Sequence, residues 1–275
     1  MAGRRYILFS ELAGTLLDAR TFGCEAARPA LEALRARGVP LLLMTSKSAE
    51  ETLEYVRLLE TGESFAVENG GAAYQAAHRA AAAPLGAVAD GGYYRWDLGV
   101  SVERLIAFLQ AFNRSRGTSF RTFDDLTTEE VVAATRLTPE RAALARRRRF
   151  DLPLIVPPRE EAALELLSSE AAAAGLVVVG GGMFPHLKGP ADKGTAFDLL
   201  MSAYAAPGEA RTVALGDSAN DLPMLERADL AVLMPRPGGS FDPGLRAALP
   251  RAILAPRPGP EGWAAAVLDI LQQRR

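Results

Sequence analysis

The sequence predicts an α/β protein: a doubly wound, mainly parallel sheet with an α+β domain inserted into it. Three observations predict it. Short apolar runs alternate with longer amphipathic stretches through about the first 75 residues, the pattern of consecutive βαβ units. A second alternating run closes the chain, and between the two, over residues 81–187, the rhythm gives way to mixed strands and helices. Residues 1–80 and 188–275 are therefore expected to form one Rossmann-like core, and residues 81–187 an inserted cap.

RYILFS is the first buried strand, and EAARPALEALRARG a helix that Gly38 ends, because glycine takes up the left-handed conformation past a last turn without strain. VPLLLMTS is a second apolar strand. Ser48 and Glu51 stand three residues apart ahead of LEYVRLLE, the spacing at which each side chain satisfies the other's backbone N–H at a helix start. SFAVENGG is a third strand. Beyond HRAAAAPLGAVADGG, read as a linker, the cap is expected to hold the strand YYRWDLG, the helix SVERLIAFLQAFNRS and a helix capped by Thr127 and Glu130. A helix opened by Pro139, the strand DLPLIVP, an Ala/Glu-rich helix and the strand GLVVVGG complete it. DKGTAFDLLMSAYAA, RTVALGDS, NDLPMLERA, DLAVLMP, RAILAP and GPEGWAAAVLDILQQ then alternate as helix and strand. Residues 235–260 otherwise read as Pro/Gly-rich loop.

With 49% apolar and 23% charged residues and a formal net charge of −2, the 275-residue chain has no electrostatic footprint for nucleic acid. A small-molecule or protein partner is expected instead. Cys24 stands alone and has no internal disulfide partner. The apolar part of MAGRRYILFS is short for a signal peptide, and LPLIVPP and GLVVVGGG fall far below the roughly 20 residues of a membrane span. A cytoplasmic protein without membrane attachment is expected, and nothing in the sequence marks an oligomeric state.

Four short stretches carry chemistry. In GDSANDLPML, Gly216 turns the chain sharply after an apolar strand, so that Asp217, Asn220 and Asp221 converge at the strand's carboxyl end. Such oxygen-rich groups suit magnesium, which takes one or two carboxylates together with water and phosphate; the same residues could equally serve as turn caps. ADKGTAF places Lys193 at a helix start beside free N–H groups, an anion site or simply a lysine next to a capping Asp192. LLLMTSKS ends a buried strand with Thr45, Ser46 and Lys47. FSELAGTLLD ends another with the carboxylate of Glu11, a Gly-Thr turn, and Ala13 between them.

In this order the four stretches resemble the haloacid dehalogenase superfamily of phosphotransferases, with FSELAGTLLD as its first motif, Thr45 its second, Lys193 its third and GDSANDLPML its fourth. A cap between the second and third motifs, together with AVENGGAAY, is similar to the Cof-type branch; VENGG, FDDLTTEEV, a basic helix and FPHLKGPADKG are most similar to the mannosyl-3-phosphoglycerate phosphatases. The resemblance implies a magnesium-dependent phosphomonoesterase acting on a small phosphorylated sugar or sugar-glycerate. It places Glu11 at the nucleophile, Ala13 at the general acid/base, and Glu11, Asp217, Asp221 and the Ala13 carbonyl on magnesium. Thr45 and Lys193 fall on the phosphate, with Ser46, Lys47, Asn69, Lys188 and Asn220 around the substrate.

The family motif reads D-x-D-G-T, so two positions differ. Glu11 keeps the carboxylate but carries it on a longer stem, a displacement of roughly 1 Å, which can cost about a hundredfold in rate. Ala13 removes the proton-transfer group, worth on the order of 10²–10⁴. The same family includes phosphonoacetaldehyde hydrolases, which have Ala there and use a Schiff-base lysine on the cap; Lys47 and Lys188 are the spare lysines here, but those enzymes keep the Asp nucleophile. The chain is thus either an altered phosphatase or a member that binds a phosphorylated ligand or protein partner without turnover. On the cap, the four arginines of RAALARRRRF are either a solvated helical face or a fork for a glycerate carboxylate. His186 is expected to pack or hydrogen-bond locally or to serve as a ligand, and YYRWD to be a half-buried strand or the wall of a sugar pocket.

Overall fold

The computed structural model describes residues 5–180, 182–206 and 208–272. The first four residues, Gly181 of GLVVVGG and Gln273 of the last expected helix lie outside them. The first alternating run forms β1 (Arg5–Ser10), α1 (Arg28–Ala36), β2 (Leu41–Met44), α2 (Ala49–Leu58), β3 (Phe65–Val67) and β4 (Ala72–Ala76). The middle holds β5 (Val88–Asp90), β6 (Tyr93–Asp97), α3 (Val102–Arg116), β7 (Arg121–Thr122), α4 (Thr128–Thr135), α5 (Pro139–Ala145), β8 (Asp151–Ile155), α6 (Ala163–Ala173), β9 (Val177–Val179) and β10 (His186–Lys188). The chain closes with α7 (Lys193–Ser202), β11 (Ala210–Gly216), α8 (Leu222–Arg227), β12 (Leu230–Leu233), α9 (Pro243–Ala248), β13 (Ile253–Leu254) and α10 (Gly259–Gln272). No helix among the described residues is long and apolar enough to cross a membrane.

Nine strands form the main sheet in the order β13-β12-β11-β1-β2-β3-β4-β6-β5, parallel from β13 to β3 and antiparallel beyond. Both alternating runs therefore contribute to one sheet, with β1 and β11 side by side at its centre. Successive residues of β1 alternate between two cores: Tyr6 and Leu8 pack in the cluster with Leu31, Tyr55 and Trp263, from α1, α2 and α10. Ile7 and Phe9 pack with Phe197 of α7 and Met224 of α8. Helices on both faces are why these strands read as continuous apolar runs. The buried indole of Trp263 donates to the Ser10 hydroxyl at 3.0 Å, so its one polar atom is satisfied inside the core.

A second sheet, β7-β8-β10-β9, is antiparallel. It shares a cluster of Leu105 and Leu109 from α3, Leu152 and Leu154 from β8, Leu167 from α6 and Leu187 from β10. Its helix starts are those expected: Thr127 and Glu130 cap α4 reciprocally, as Ser48 and Glu51 cap α2, and Pro139 opens α5.

Five expectations need correction. YYRWDLG belongs to the main sheet, not the cap: β6 pairs antiparallel with β4 over Ala72–Ala76, and Tyr93 stands edge-on to Phe65 at 5.0 Å, helping to bury Phe65 and Tyr74. The supposed linker contains β5, joined to β6 through Gly91 and Gly92, both with positive φ, a two-residue hairpin turn that its alanines obscure. At the other junction Lys188 pairs with Asp151 and Val177 in the cap sheet, so the return to the core comes after it. The four arginines do not continue a helix; α5 stops at Ala145, and the chain turns away because the backbone N–H groups of Arg149 and Phe150 both donate to the Glu68 carboxylate. Within the Pro/Gly-rich tail, Asp242 and Pro243 start α9, Asp242 accepting from the Leu245 N–H at 2.9 Å.

Candidate active site

The parallel register of β1 and β11 sets Ser10 beside Leu215, so the two chains leave the sheet together, and the Glu11 N–H donates to the Leu215 carbonyl at 3.0 Å. Two glycines allow the turns beyond these strand ends to close up. Gly14 lies at φ +78°, where a Cβ would fall 2.9 Å from Asp217 Oδ2; at Gly216 a Cβ would fall 2.6 Å from that of Asp221. Thr15 donates to Asp217 Oδ1 at 3.0 Å. Asp221 folds back so that its Oδ2 accepts from the N–H groups of Asp217 and Ser218, both at 3.0 Å.

Lys193, the first residue of α7, joins these strand ends. Its fully buried ammonium pairs with Glu11 Oε2 and with Asp221 Oδ1, the latter at 2.5 Å. The other Glu11 oxygen accepts from the Leu12 N–H at 2.6 Å. Burial works against the lysine's charge, but Asp221 and Glu11 outweigh it and hold the ammonium above its ordinary range. Asp217 is pushed the opposite way for a carboxyl: burial first, then the negative charges of Asp221 and Glu11, raise it. Three carboxylates thus face one ammonium. Among the described residues no three His, Cys, Asp or Glu side chains converge as a closed metal cage. Magnesium does not require one, and a buried carboxylate driven toward protonation by uncompensated negative charge is what a divalent cation would relieve, so these donors fit it.

Above this cluster lies a cleft of about 610 Å³. Ala13, Gly14, Asp217, Ser46 and Lys47 border it from the core side, and Arg148 and His186 from the cap. Glu11, Thr45, Lys193 and Asp221 are buried beneath. The Thr45 hydroxyl accepts from the Lys47 N–H at 3.2 Å, and the Lys47 ammonium stands 3.4 Å from Glu51 and over the Phe22 ring. Asn69, held at φ 57°, accepts from Asn220 at 2.9 Å and donates to Asp151 at 2.8 Å. Lys188, Asn69 and Asn220 do not border this cleft; all three line a separate cavity of about 350 Å³. The Lys188 ammonium donates to the carbonyls of Gly189 and Ala191; in β10 Leu187 faces the cap core, while His186 and Lys188 share the other face, the first bonded to Asp151 and the second to the backbone that follows it.

Sequence reasoning missed the group on the cap. Asp151 is fully buried, and His186 Nδ1 lies 2.9 Å from one of its oxygens. Arg148 donates to the Ser46 carbonyl at 3.1 Å and stands 3.5 Å from Asp151. Burial opposes ionisation of Asp151, but His186, Arg148 and Lys188 hold it below the usual carboxylate range. Glu68, capping Arg149 and Phe150, is instead pushed up to about 7, chiefly by its burial. His186 and the arginine run were visible as residue types; nothing local to Asp151 marked it as their shared partner.

Residues 173–236, which carry Lys193, Asp217 and Asp221, match the family model of haloacid dehalogenase-like hydrolases. Curated relatives extend that likeness over nearly the whole chain, which belongs to the haloacid dehalogenase-like hydrolases. One relative is the glucosyl-3-phosphoglycerate/mannosyl-3-phosphoglycerate phosphatase of Methanococcoides burtonii, 35% identical over 97% of this chain and 97% of its own. Another, the protein of the same description from Persephonella marina, is 32% identical with the same coverage. Among solved structures, a subclass IIB sugar phosphatase of the superfamily has the same fold, with a TM-score of 0.66 at 17% identity over 96% of this chain and 98% of that one.

Proposed function

We propose that the chain is a magnesium-dependent phosphomonoesterase acting on a sugar ester of phosphoglycerate, of the kind named for its curated relatives. The observation that carries the proposal is Lys193 buried between Glu11 and Asp221 directly beneath a cleft floored by Asp217. Glu11 is the nucleophile: its Oε2, released from Lys193 as phosphate enters, attacks phosphorus and becomes a glutamyl phosphate, and Lys193 then pairs with the charge gathering on the phosphate oxygens. Thr45 holds the end of β2 against the phosphate. Magnesium, on Glu11, Asp217, Asp221 and the Ala13 carbonyl, would supply further positive charge there. Across the cleft, Lys47 and Arg148 suit the glycerate carboxylate.

Phosphate release from mannosyl- and glucosyl-3-phosphoglycerate with magnesium tests this, beside Glu11→Ala and a Glu11→Asp, Ala13→Asp double variant. Turnover well above Glu11→Ala supports the enzyme. A second reading, a binding protein without turnover, is favoured by Ala13 and by the engagement of both Glu11 oxygens with Leu12 and Lys193. Silence in the unmodified protein with strong activity in the double variant would select it.

A further inference from the structure

We propose that His186, oriented by Asp151, is the proton donor and acceptor that replaces the carboxylic acid absent at Ala13. The proposal rests on the phosphatase reading and deepens it. The two residues sit on opposite lobes but border one cleft, together with Gly14 and Asp217. The Asp151 oxygens accept from His186 Nδ1 at 2.9 and 3.0 Å, which fixes the tautomer and leaves Nε2 as the exchangeable position. Among the described residues Nε2 has no protein partner. A purely structural histidine at this depth would be expected to engage both nitrogens.

The ring's place is set from the catalytic turn itself. Ser218 donates to Asn220 at 2.6 Å, Asn220 to Asn69 at 2.9 Å and Asn69 to Asp151 at 2.8 Å, so a continuous hydrogen-bonded chain runs from the residue after Asp217 to the dyad. Arg148, bonded to the Ser46 carbonyl, adds a second tie between cap and core at the same point.

In the first step the ring enters as imidazolium: the Glu11 oxygen bonds to phosphorus as the phosphorus–glycerate oxygen bond breaks, and the Nε2 proton goes to that oxygen, releasing the sugar-glycerate with a free hydroxyl and leaving the imidazole neutral. In the second the neutral imidazole takes a proton from water, whose oxygen attacks phosphorus; the bond to Glu11 breaks, and carboxylate, imidazolium and inorganic phosphate result.

The test compares a sugar-phosphoglycerate with p-nitrophenyl phosphate, whose phenolate leaves without a proton, in the unmodified protein, His186→Gln, Ala13→Asp and the double variant. His186→Gln is expected to slow the sugar ester by about 10²–10⁴. The first-turnover burst of nitrophenolate is expected to stay within about threefold, with phosphorylated enzyme accumulating by intact mass because its hydrolysis lacks a base. That burst also reports that the variant is folded; His186→Asn serves if it is not. In the Ala13→Asp background the histidine should matter little, since the family's own acid is restored. Equal slowing of burst and sugar ester, no slowing of either, or an undiminished loss in the Ala13→Asp background overturns the proposal while leaving the phosphatase standing. No turnover of either ester by the unmodified protein overturns both.

Discussion

Lys193→Met removes the ammonium while keeping an unbranched side chain of similar length, and the structure sets the consequence. Glu11 and Asp221 lose their shared partner, and neither is open to water: the lysine and Asp221 are fully buried and Glu11 is 3% exposed. Breaking a buried ion pair by deleting one member costs about 3–5 kcal/mol, because a charge is left without compensation. Here two carboxylates are orphaned beside a third, Asp217, that burial and its neighbours already push up. The upper part of that range applies, on the order of a 10 °C fall in melting temperature. Lys193 now opposes the raising of Asp217, so without it that carboxyl is pushed further up, and stability is retained in acid and lost as pH rises through its raised value. The variant should lie nearest the unmodified protein near pH 5 and furthest from it at pH 8. Urea unfolding at both values measures this; a loss below about 1 kcal/mol at pH 8, or a larger loss in acid, would refute the reading of the cluster.

Magnesium with beryllium fluoride should raise the melting temperature, by the equivalent of about 2.7 kcal/mol at a hundred times the dissociation constant. Asp217→Asn should abolish that rise in thermal-shift measurements, and an equal rise in the variant would remove Asp217 from the metal site. Glu68, raised from 4.5 to about 7 in the fold, contributes stability below pH 4.5 that is lost as pH rises to 7. Relative to Glu68→Gln, the unmodified protein should lose stability across that interval in denaturant titrations, and a flat difference would contradict it. Gly99→Ala would place a Cβ 2.7 Å from that of Phe150, at the junction of sheet and cap, and overpacking of that kind costs about 1–3 kcal/mol. An unchanged melting temperature would show that the seam gives way freely.

Much of the core was legible because its signals are local. Ser48 and Glu51 cap one another three residues apart, Gly38 ends α1 with a positive φ, and each central strand is apolar on both faces because helices cover both. The hairpin of β5 and β6 was hidden by composition: alanines and glycines pair as strands only because Phe65 and Tyr74 await Tyr93. The arginine run was misread for a similar reason. Arginine favours helix, yet the Glu68 carboxylate, some 80 positions earlier, takes the backbone N–H groups of Arg149 and Phe150 and ends the helix.

By itself the sequence determined the alternating strands and helices of the core, the family, and the residue types at each motif, since periodicity, caps and short motifs are properties of neighbours along the chain. Only the tertiary structure decided that Glu11 lies beneath the cleft bound to Lys193, that Lys188 leaves it, and that Asp151 stands behind His186. Those facts depend on which groups burial brings within hydrogen-bonding reach of one another, and a contact spanning 182 positions, such as Lys193 to Glu11, has no trace in local sequence.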